Sequence, residues 1–413
     1  MKRQHGKCRF CRTDLHLSVI DLGMSPLANA YIRSERFRGA ETFFPLHAFV
    51  CEECFLVQVE EFEKPEAIFT DYAYFSSYSQ TWLDHSKKYV NEMTERFNLG
   101  SESLVLEVAS NDGYLLQFFK EKNVPVLGVE PAANVAEIAI QKGIPTAVEF
   151  FGVKTAQKLA EENKTADLVL GNNVLAHVPD LNDFVQGLKI ILKHDGVLTM
   201  EFPHLLNLLQ QNQFDTIYQE HFSYFSFHTV EKIFKTHGLV LFDVQELPTH
   251  GGSIRIFAHH TEDKTHKVQG SVAAMKVKEA SAGLLSLQTY GQFQERVHET
   301  KRKLLYFLIE AKRERKKIVG YGAPAKGNTL LNYCGIRGDF IDYVVDITPH
   351  KIGCMLPGTH IPIEHPDKIK ETKPDYVLIL PWNFKDEIMG KTKFIRDWGG
   401  KFVVPIPEVR VID

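Results

Sequence analysis

The sequence predicts an α/β protein: two units of alternating strands and helices, preceded by a small cysteine-bearing unit. Three observations carry that prediction. Short apolar runs such as Leu104-Val105-Leu106, Val126-Leu127-Gly128-Val129 and Leu168-Val169-Leu170 recur between helix-forming stretches. This is the alternation of a mainly parallel sheet covered on both faces. A second alternation starts at Lys317-Ile318-Val319 and continues through Phe340-Ile341-Asp342-Tyr343-Val344-Val345 and Tyr376-Val377-Leu378-Ile379-Leu380. Ahead of both, four of the six cysteines stand in two C-x-x-C pairs.

The chain has 413 residues, enough for two or three domains, expected at 1–70, 71–268 and 269–413. Apolar content of 44% and charged content of 24% suit a globular chain with a sizeable core. A formal charge of −4 argues against an electrostatic nucleic-acid binder. No secretory signal opens the chain and no apolar run is long enough to span a bilayer, so a cytoplasmic protein without a membrane partner is expected. No solenoid-period repeat or low-complexity segment is present.

In chain order, Cys8-Arg9-Phe10-Cys11 and Cys51-Glu52-Glu53-Cys54 come first. Each pair places two thiolates on one tight turn, and two such turns brace a tetrahedral structural zinc with no open position for chemistry. A redox dithiol would need one pair beside a thioredoxin-like βαβ pattern, which is absent. Aromatic and β-branched residues at Phe43, Phe44, Phe49 and Val50 and at 55–59 suggest strands around the metal. Next, Asp71-Tyr72-Ala73-Tyr74-Phe75-Ser76-Ser77-Tyr78-Ser79 suits neither strand nor helix. It is either a loop covering the core or a loop folded over a ligand. A helix over 82–97 leads into the central unit.

There, the strand at 104–106 runs into Glu107-Val108-Ala109-Ser110-Asn111-Asp112-Gly113-Tyr114 and then a helix. A strand, a tight turn and a helix start make the nucleotide-cradling corner of a doubly wound sheet, and Glu130 ends the next strand where a ribose diol is usually gripped. Only Gly113 remains of the three-glycine dinucleotide fingerprint, which favours S-adenosylmethionine, a cofactor without a pyrophosphate. Helices are expected at 132–142, 155–162, 181–193 and 229–236, strands at 166–171 and 197–202, and a hairpin edge from 239–242 and 253–257. The polar stretch 269–316 reads as one or two long helices leading to the second α/β unit. That unit's turn, Gly322-Ala323-Pro324-Ala325-Lys326-Gly327, lacks the third fingerprint glycine and loses a backbone donor at Pro324. Lys326 and Asn328 either meet a phosphate there or belong to a structural turn.

The densest polar cluster is Phe214-Asp215-Thr216-Ile217-Tyr218-Gln219-Glu220-His221-Phe222. Apolar neighbours strip water from its imidazole and carboxylate and shift their proton affinities. Asn173 and His177 follow a strand on the same face, and His250-Gly251-Gly252 marks a flexible turn. Each group alone also fits a structural hydrogen-bond set, and none shows the paired histidine spacing of a metal helix.

Taken together, the two C-x-x-C pairs, Asp71-Tyr72-x-Tyr74-x-Ser76-Ser77, Glu107-x-x-Ser110-Asn111-Asp112-Gly113, Asn173-x-x-x-His177, Tyr218-x-Glu220-His221-Phe222, His250-Gly251-Gly252 and 322–327 span nearly the whole chain. In this order they resemble the S-adenosylmethionine-dependent sugar C-methyltransferases acting on nucleotide-linked 4-ketosugars. The resemblance implies an N-terminal zinc domain, a central Rossmann-like class I methyltransferase domain and a C-terminal Rossmann-like α/β domain. It implies S-adenosylmethionine and zinc as cofactors, a nucleoside-diphosphate-linked ketosugar as substrate, and proton abstraction at C3 through an enolate. His221 is then the general base. Glu220 orients the imidazole or holds sugar hydroxyls, and Tyr218 and His177 donate to the enolate oxygen. Tyr72 closes the sugar site, with Tyr78, His250 and Gly251 beside the substrate and Lys326 at the diphosphate or base. Glu130 holds the ribose, and Glu107, Ser110, Asn111, Gly113 and Asn173 line the rest of the cofactor. The layout is compatible with a monomer. An O- or N-methyltransferase on a small metabolite, or a non-catalytic binding protein on the same scaffold, would need no enolate apparatus.

Overall fold

The computed structural model describes residues 6–63 and 75–413. Tyr72 and Tyr74, expected near the ligand, lie outside the described residues. The N-terminal unit contributes strands β1 (Leu17–Ser25), β2 (Phe44–Val50) and β3 (Val57–Val59) in an antiparallel run. Helix Gln80–Arg96, capped by the Ser79 side chain at the Trp82 N–H, leads to the central unit. That unit holds β4 (Val105–Val108), β5 (Val126–Val129), β6 (Thr146–Ala147), β7 (Ala166–Asn172), β8 (Leu192–Pro203), β9 (Ser223–Tyr224), β10 (Leu239–Leu247) and β11 (Ser253–His260).

Seven of these strands form one sheet in the order β10-β11-β8-β7-β4-β5-β6. β4 pairs in parallel with β5 (Val105↔Val126) on one side and with β7 (Val105↔Leu168) on the other. All four β4 residues are buried, as expected when helices cover both faces of a parallel sheet. β10 and β11 form the expected antiparallel hairpin, with β11 set against β8 at Ile254↔Phe202. The strand order reverses at β4, so a crevice opens beyond the carboxyl ends of β4 and β7.

The last unit adds β12 (Ile318–Tyr321), β13 (Val344–Val345), β14 (Ile363–Glu364), β15 (Tyr376–Ile379), β16 (Lys401–Val404) and β17 (Arg410–Ile412). They are ordered β14-β13-β12-β15-β16-β17, all parallel except β17. β12 is therefore a second switch point. The strand expected over 340–345 is shorter: Phe340 and Ile341 both donate backbone N–H groups to the Arg337 carbonyl at 3.0 Å, which closes a turn and leaves only Val344–Val345 to pair. The long helical stretch resolves into Gly270–Ser281, Leu287–Gly291 and Phe293–Arg313. Buried Val297, Leu304, Leu308 and Ala311 recur at helical spacing along the last of these and seat it in the same core as β12 and β15. Among the described residues no helix is long and apolar enough to cross a membrane.

The four motif cysteines are free thiols whose sulfurs lie within 4.8 Å of one another. Separations include 3.6 Å for Cys8–Cys54, 3.4 Å for Cys11–Cys51 and 3.7 Å for Cys11–Cys54. Four sulfurs around a zinc at roughly 2.3 Å sit about 3.8 Å apart, so this set fits a closed tetrahedral site. The Gln58 amide donates to Cys8 Sγ at 3.3 Å, an outer contact that orients the ligand. A feature not legible in the sequence follows directly after Cys54. β3 pairs antiparallel with β9 of the central unit, Val57↔Tyr224 and Gln58↔Ser223. The zinc unit's sheet, β1-β2-β3-β9, is thus completed by the strand that follows His221. Arg9, between two motif cysteines, donates to the carbonyls of Val59 (2.6 Å) and Pro179 (2.9 Å) and lies over the Phe222 ring.

Replacing one ligand, as in Cys51→Ser, is expected to lower bound zinc well below one per chain. Amide exchange at Val59 and Tyr224 should accelerate far more than at Val105 or Val126. Equal acceleration across both sheets, read by exchange mass spectrometry, would contradict a localised coupling.

Candidate active site

After β4 the chain turns through Ala109 (φ 56°), Asn111 (φ 50°) and Gly113 (φ 74°), left-handed at every second residue. The backbone of a glycine-rich turn is present although only one glycine remains. Asn tolerates this region, whereas Ala pays roughly 1 kcal/mol for it. Backbone amides of Ala109 and Asn111 donate to the Val129 carbonyl (2.8 Å) and to Glu130 Oε2 (2.9 Å). Glu130 Oε1 accepts from the Ala132 N–H at 2.9 Å. Burial raises the Glu130 proton affinity, and these two amides pull it back. A Cβ on Gly113 would meet Ile144 Cδ1 at 2.3 Å, and one on Gly128 would meet Ser110 Oγ at 2.4 Å, so both glycines are required by close approach.

The turn forms one wall of a cleft of about 750 Å3, large for a small-molecule site. Trp82 and Tyr114 cover this end, with Phe75 and Tyr78 beside them. The Ser76 N–H donates to Asn111 Oδ1 at 3.0 Å, and the Ser77 hydroxyl donates to the Asp112 carboxylate. The 75–79 segment is therefore fastened to the cofactor turn. Asn173 Oδ1 and His250 Nδ1 are buried at the cleft without a hydrogen-bond partner among the described residues. With the acid at the end of β5, the tight turn and these unsatisfied polar atoms, the residues present fit S-adenosylmethionine.

On the next wall stands the expected polar cluster. His221 Nδ1 lies 2.9 Å from the Thr216 carbonyl, an acceptor only, which places the ring proton on Nδ1 and leaves a lone pair on Nε2. Nε2 accepts the Tyr218 hydroxyl at 2.8 Å. Burial pushes the His221 pKa well below the ordinary imidazole value, with His177 opposing a second positive charge. The His177 ring meets the His221 ring edge-on, centroids 4.7 Å apart. Burial lowers His177 and His250 to about 4. Glu220 is raised by burial to about 7, even though both its oxygens accept from Asn29 Nδ2 at 2.9 Å.

The C-terminal unit closes the third side. Pro324, Ala325 and Lys326 after β12 and Pro381, Asn383 and Phe384 after β15 reach the cleft from that sheet's switch point. Lys326 Nζ donates to Asn383 Oδ1 at 2.8 Å and lies over the Trp382 ring. Burial lowers its pKa against the pull of Asp215, whose own carboxyl is raised by burial to about 6 while Trp382 Nε1 donates to it at 2.7 Å. Lys351 also lines this side, donating to the Ala323 carbonyl at 3.0 Å.

The cleft brings together Asn111, Glu130, Asn173, His177, Tyr218, Glu220, His221, His250, Lys326 and the half-exposed Tyr78. Glu107, Ser110 and Gly113 do not face it. Ser110 and Gly113 belong to the turn itself with their backs to the cleft, and Glu107 beneath it is fully buried, its carboxyl strongly raised by burial. Gly251 stands behind His250, its carbonyl accepting from Gln213 at 2.7 Å. Asn29, Tyr31, Trp82, Lys351 and Asn383 line the cleft without having been anticipated. They come from segments far apart in the chain, and no local motif marks them.

Comparison with known proteins agrees along the whole chain. Three family models match: a zinc binding domain over 8–69, a methyltransferase domain over 83–244 and a C-methyltransferase C-terminal domain over 248–407. The C-methyltransferase NovU of Streptomyces niveus is 38% identical over 409 residues, 98% of this chain and 96% of that protein. Among solved structures, an S-adenosylmethionine-dependent methyltransferase from Clostridium acetobutylicum is similar at 14% identity and TM-score 0.35, covering 43% of this chain and 92% of that one. The Synechocystis magnesium protoporphyrin IX methyltransferase with bound S-adenosylhomocysteine matches at 15% identity and TM-score 0.34, covering 43% and 81%.

Two outcomes follow for the site. In nitrogen-resolved NMR titrations His177 and His250 should remain neutral at pH 6, because burial disfavours the imidazolium; midpoints near 6.5 would contradict their burial. Ala109→Gly should leave stability unchanged or raise it by up to about 1 kcal/mol, whereas Gly113→Ala should lower both the melting temperature and S-adenosylmethionine affinity. Calorimetry reads both, and an unaffected Gly113→Ala protein would contradict the close approach at Ile144.

Proposed function

The chain belongs to the S-adenosylmethionine-dependent C-methyltransferases, and from that premise we propose that it methylates C3 of a nucleoside-diphosphate-linked 4-keto-deoxysugar through an enolate. The observation that carries this reading is the state of His221. Its Nδ1–H is committed to the Thr216 carbonyl, its Nε2 holds a lone pair at a buried cleft, and burial keeps the ring uncharged. A neutral imidazole so held is a general base at ordinary pH. Carbon becomes nucleophilic only after losing a proton, and a ketone makes the hydrogens on its two flanking carbons removable.

S-adenosylmethionine, when bound, supplies the electrophilic methyl group. The protein's own groups do the rest. His221 Nε2 takes the C3 proton, and the Tyr218 hydroxyl, which rests on that nitrogen at 2.8 Å, donates to the developing enolate oxygen. His177, edge-on to His221, is the second group assigned to the surroundings of that oxygen. Glu220 holds sugar hydroxyls, and Tyr78 and His250 border the sugar. Glu130 and Asn173 hold the cofactor at the turn, with Asn111 presenting its backbone. Glu107, Ser110 and Gly113 act by shaping that turn. Lys326, with Lys351 across the same wall, meets the diphosphate. The 4-keto-deoxysugar, its nucleotide and the zinc unit's supporting part in the site all rest on the resemblance together with this geometry.

His221→Asn should lower kcat by on the order of 10²-fold or more while S-adenosylmethionine affinity holds, and Tyr218→Phe by on the order of 10²-fold. Near-normal turnover by His221→Asn would remove it as the base. Incubation with S-adenosylmethionine and a panel of 4-ketosugar nucleotides, followed by NMR location of the new methyl, should place it on C3. A methyl on C5, the ketone's other neighbour, would overturn the C3 assignment, and one on oxygen or nitrogen would overturn the enolate.

A further inference from the structure

The segment between β1 and β2 enters the cleft although it belongs to the N-terminal unit. Gln219 Nε2 donates to the Ser25 carbonyl at 3.1 Å and Asn328 Nδ2 to the Ala28 carbonyl at 2.6 Å, so the loop is held from the catalytic segment and from the C-terminal unit at once. Tyr31 donates its hydroxyl to the Ala323 carbonyl at 2.6 Å. Between these anchors Asn29 faces Glu220, its Nδ2 at 2.9 Å from each carboxylate oxygen. Its Oδ1 lies 3.2 Å from the Tyr31 hydroxyl oxygen, and an amide turned the other way would set its oxygen against the Glu220 carboxylate, acceptor against acceptor.

We propose that Asn29 is a positioning residue: one side chain of the N-terminal unit fixes both oxygens of Glu220, so that their remaining lone pairs are presented to the cleft. That Glu220 then receives sugar hydroxyls rests on the function proposed above; the clamp itself does not. Glu220 is 4% exposed and Asn29 is the hydrogen-bond donor at its carboxylate, so an isolated carboxylate here would take up a proton. Among the described residues, the other titratable groups around it include Tyr31 from the same loop, His177 against the Glu220 backbone, His221 next in the chain and Lys351 beyond Tyr31. A two-proton amide donor offsets desolvation without adding charge, which a lysine or arginine in that place would bring into the neighbourhood of two imidazoles.

The test needs no substrate. Carboxyl resonances of carbon-13-labelled glutamate, with Glu220 assigned through Glu220→Gln, are followed against pH in the intact ligand-free protein. Wild type should titrate near 7 at this position. Asn29→Leu, which keeps the volume and removes the donor, should raise the midpoint by about one pH unit or more. Asn29→Asp, which sets two carboxyls face to face, should raise the pair's upper midpoint by at least as much. S-adenosylmethionine binding by calorimetry reports whether each variant is folded, and either folded variant decides. A midpoint unchanged within about 0.3 unit overturns the proposal. The sugar reading survives or fails separately, on the position of the methyl.

Discussion

The hydrogen bond from His221 Nδ1 to the Thr216 carbonyl sets the chemistry of the whole cleft. A histidine can present either nitrogen, and in water it exchanges freely between tautomers and is partly charged near neutrality. Here a backbone acceptor five residues earlier in the same loop removes that freedom, and burial removes the charge. The lone pair on Nε2 is the result. Everything around it serves to keep water out and the ring still: Tyr218 tilted close at 4.0 Å between centroids, His177 edge-on, and Phe222 and Phe225 fully buried behind.

The zinc unit enters this arrangement mechanically. The four thiolates that would hold the metal leave it no open position for chemistry, yet β3 follows Cys54 and pairs directly with β9, two residues after His221. Arg9 bridges from between the cysteines to Pro179, two residues after His177, and over Phe222, the residue after His221. Both imidazoles are thus referred to the same small metal-braced sheet. The linker helices hold the other side of the loop: buried Glu279 accepts from the backbone of Phe227 (2.5 Å) and His228 (2.9 Å) at the start of helix Phe227–Thr236, where a negative charge meets unsatisfied N–H groups.

Much of this was legible from residue patterns, and the exceptions have physical causes. The parallel strands are short, apolar and separated by helical spacing, so the two α/β units could be read directly. The four thiolates declared themselves by spacing. Ala109 and Asn111 could not be read as members of a glycine-type turn, because left-handed backbone is paid for by surrounding contacts rather than announced by composition. The overlong strand at 340–345 failed for the opposite reason: its residues favour a strand, but the Arg337 carbonyl captures two of their amides. Asn29 reaches the cleft through a pairing with Glu220, 191 residues away, and no local window along the chain contains both ends of that contact.

The account stands or falls on whether His221 removes the proton next to the ketone. The most direct measurement follows deuterium entering the ketosugar from heavy water with S-adenosylhomocysteine in place of the methyl donor, so that deprotonation is seen without transfer. Wild type should exchange the C3 hydrogen, and His221→Asn should not. Exchange at C3 by His221→Asn at the wild-type rate would contradict the account.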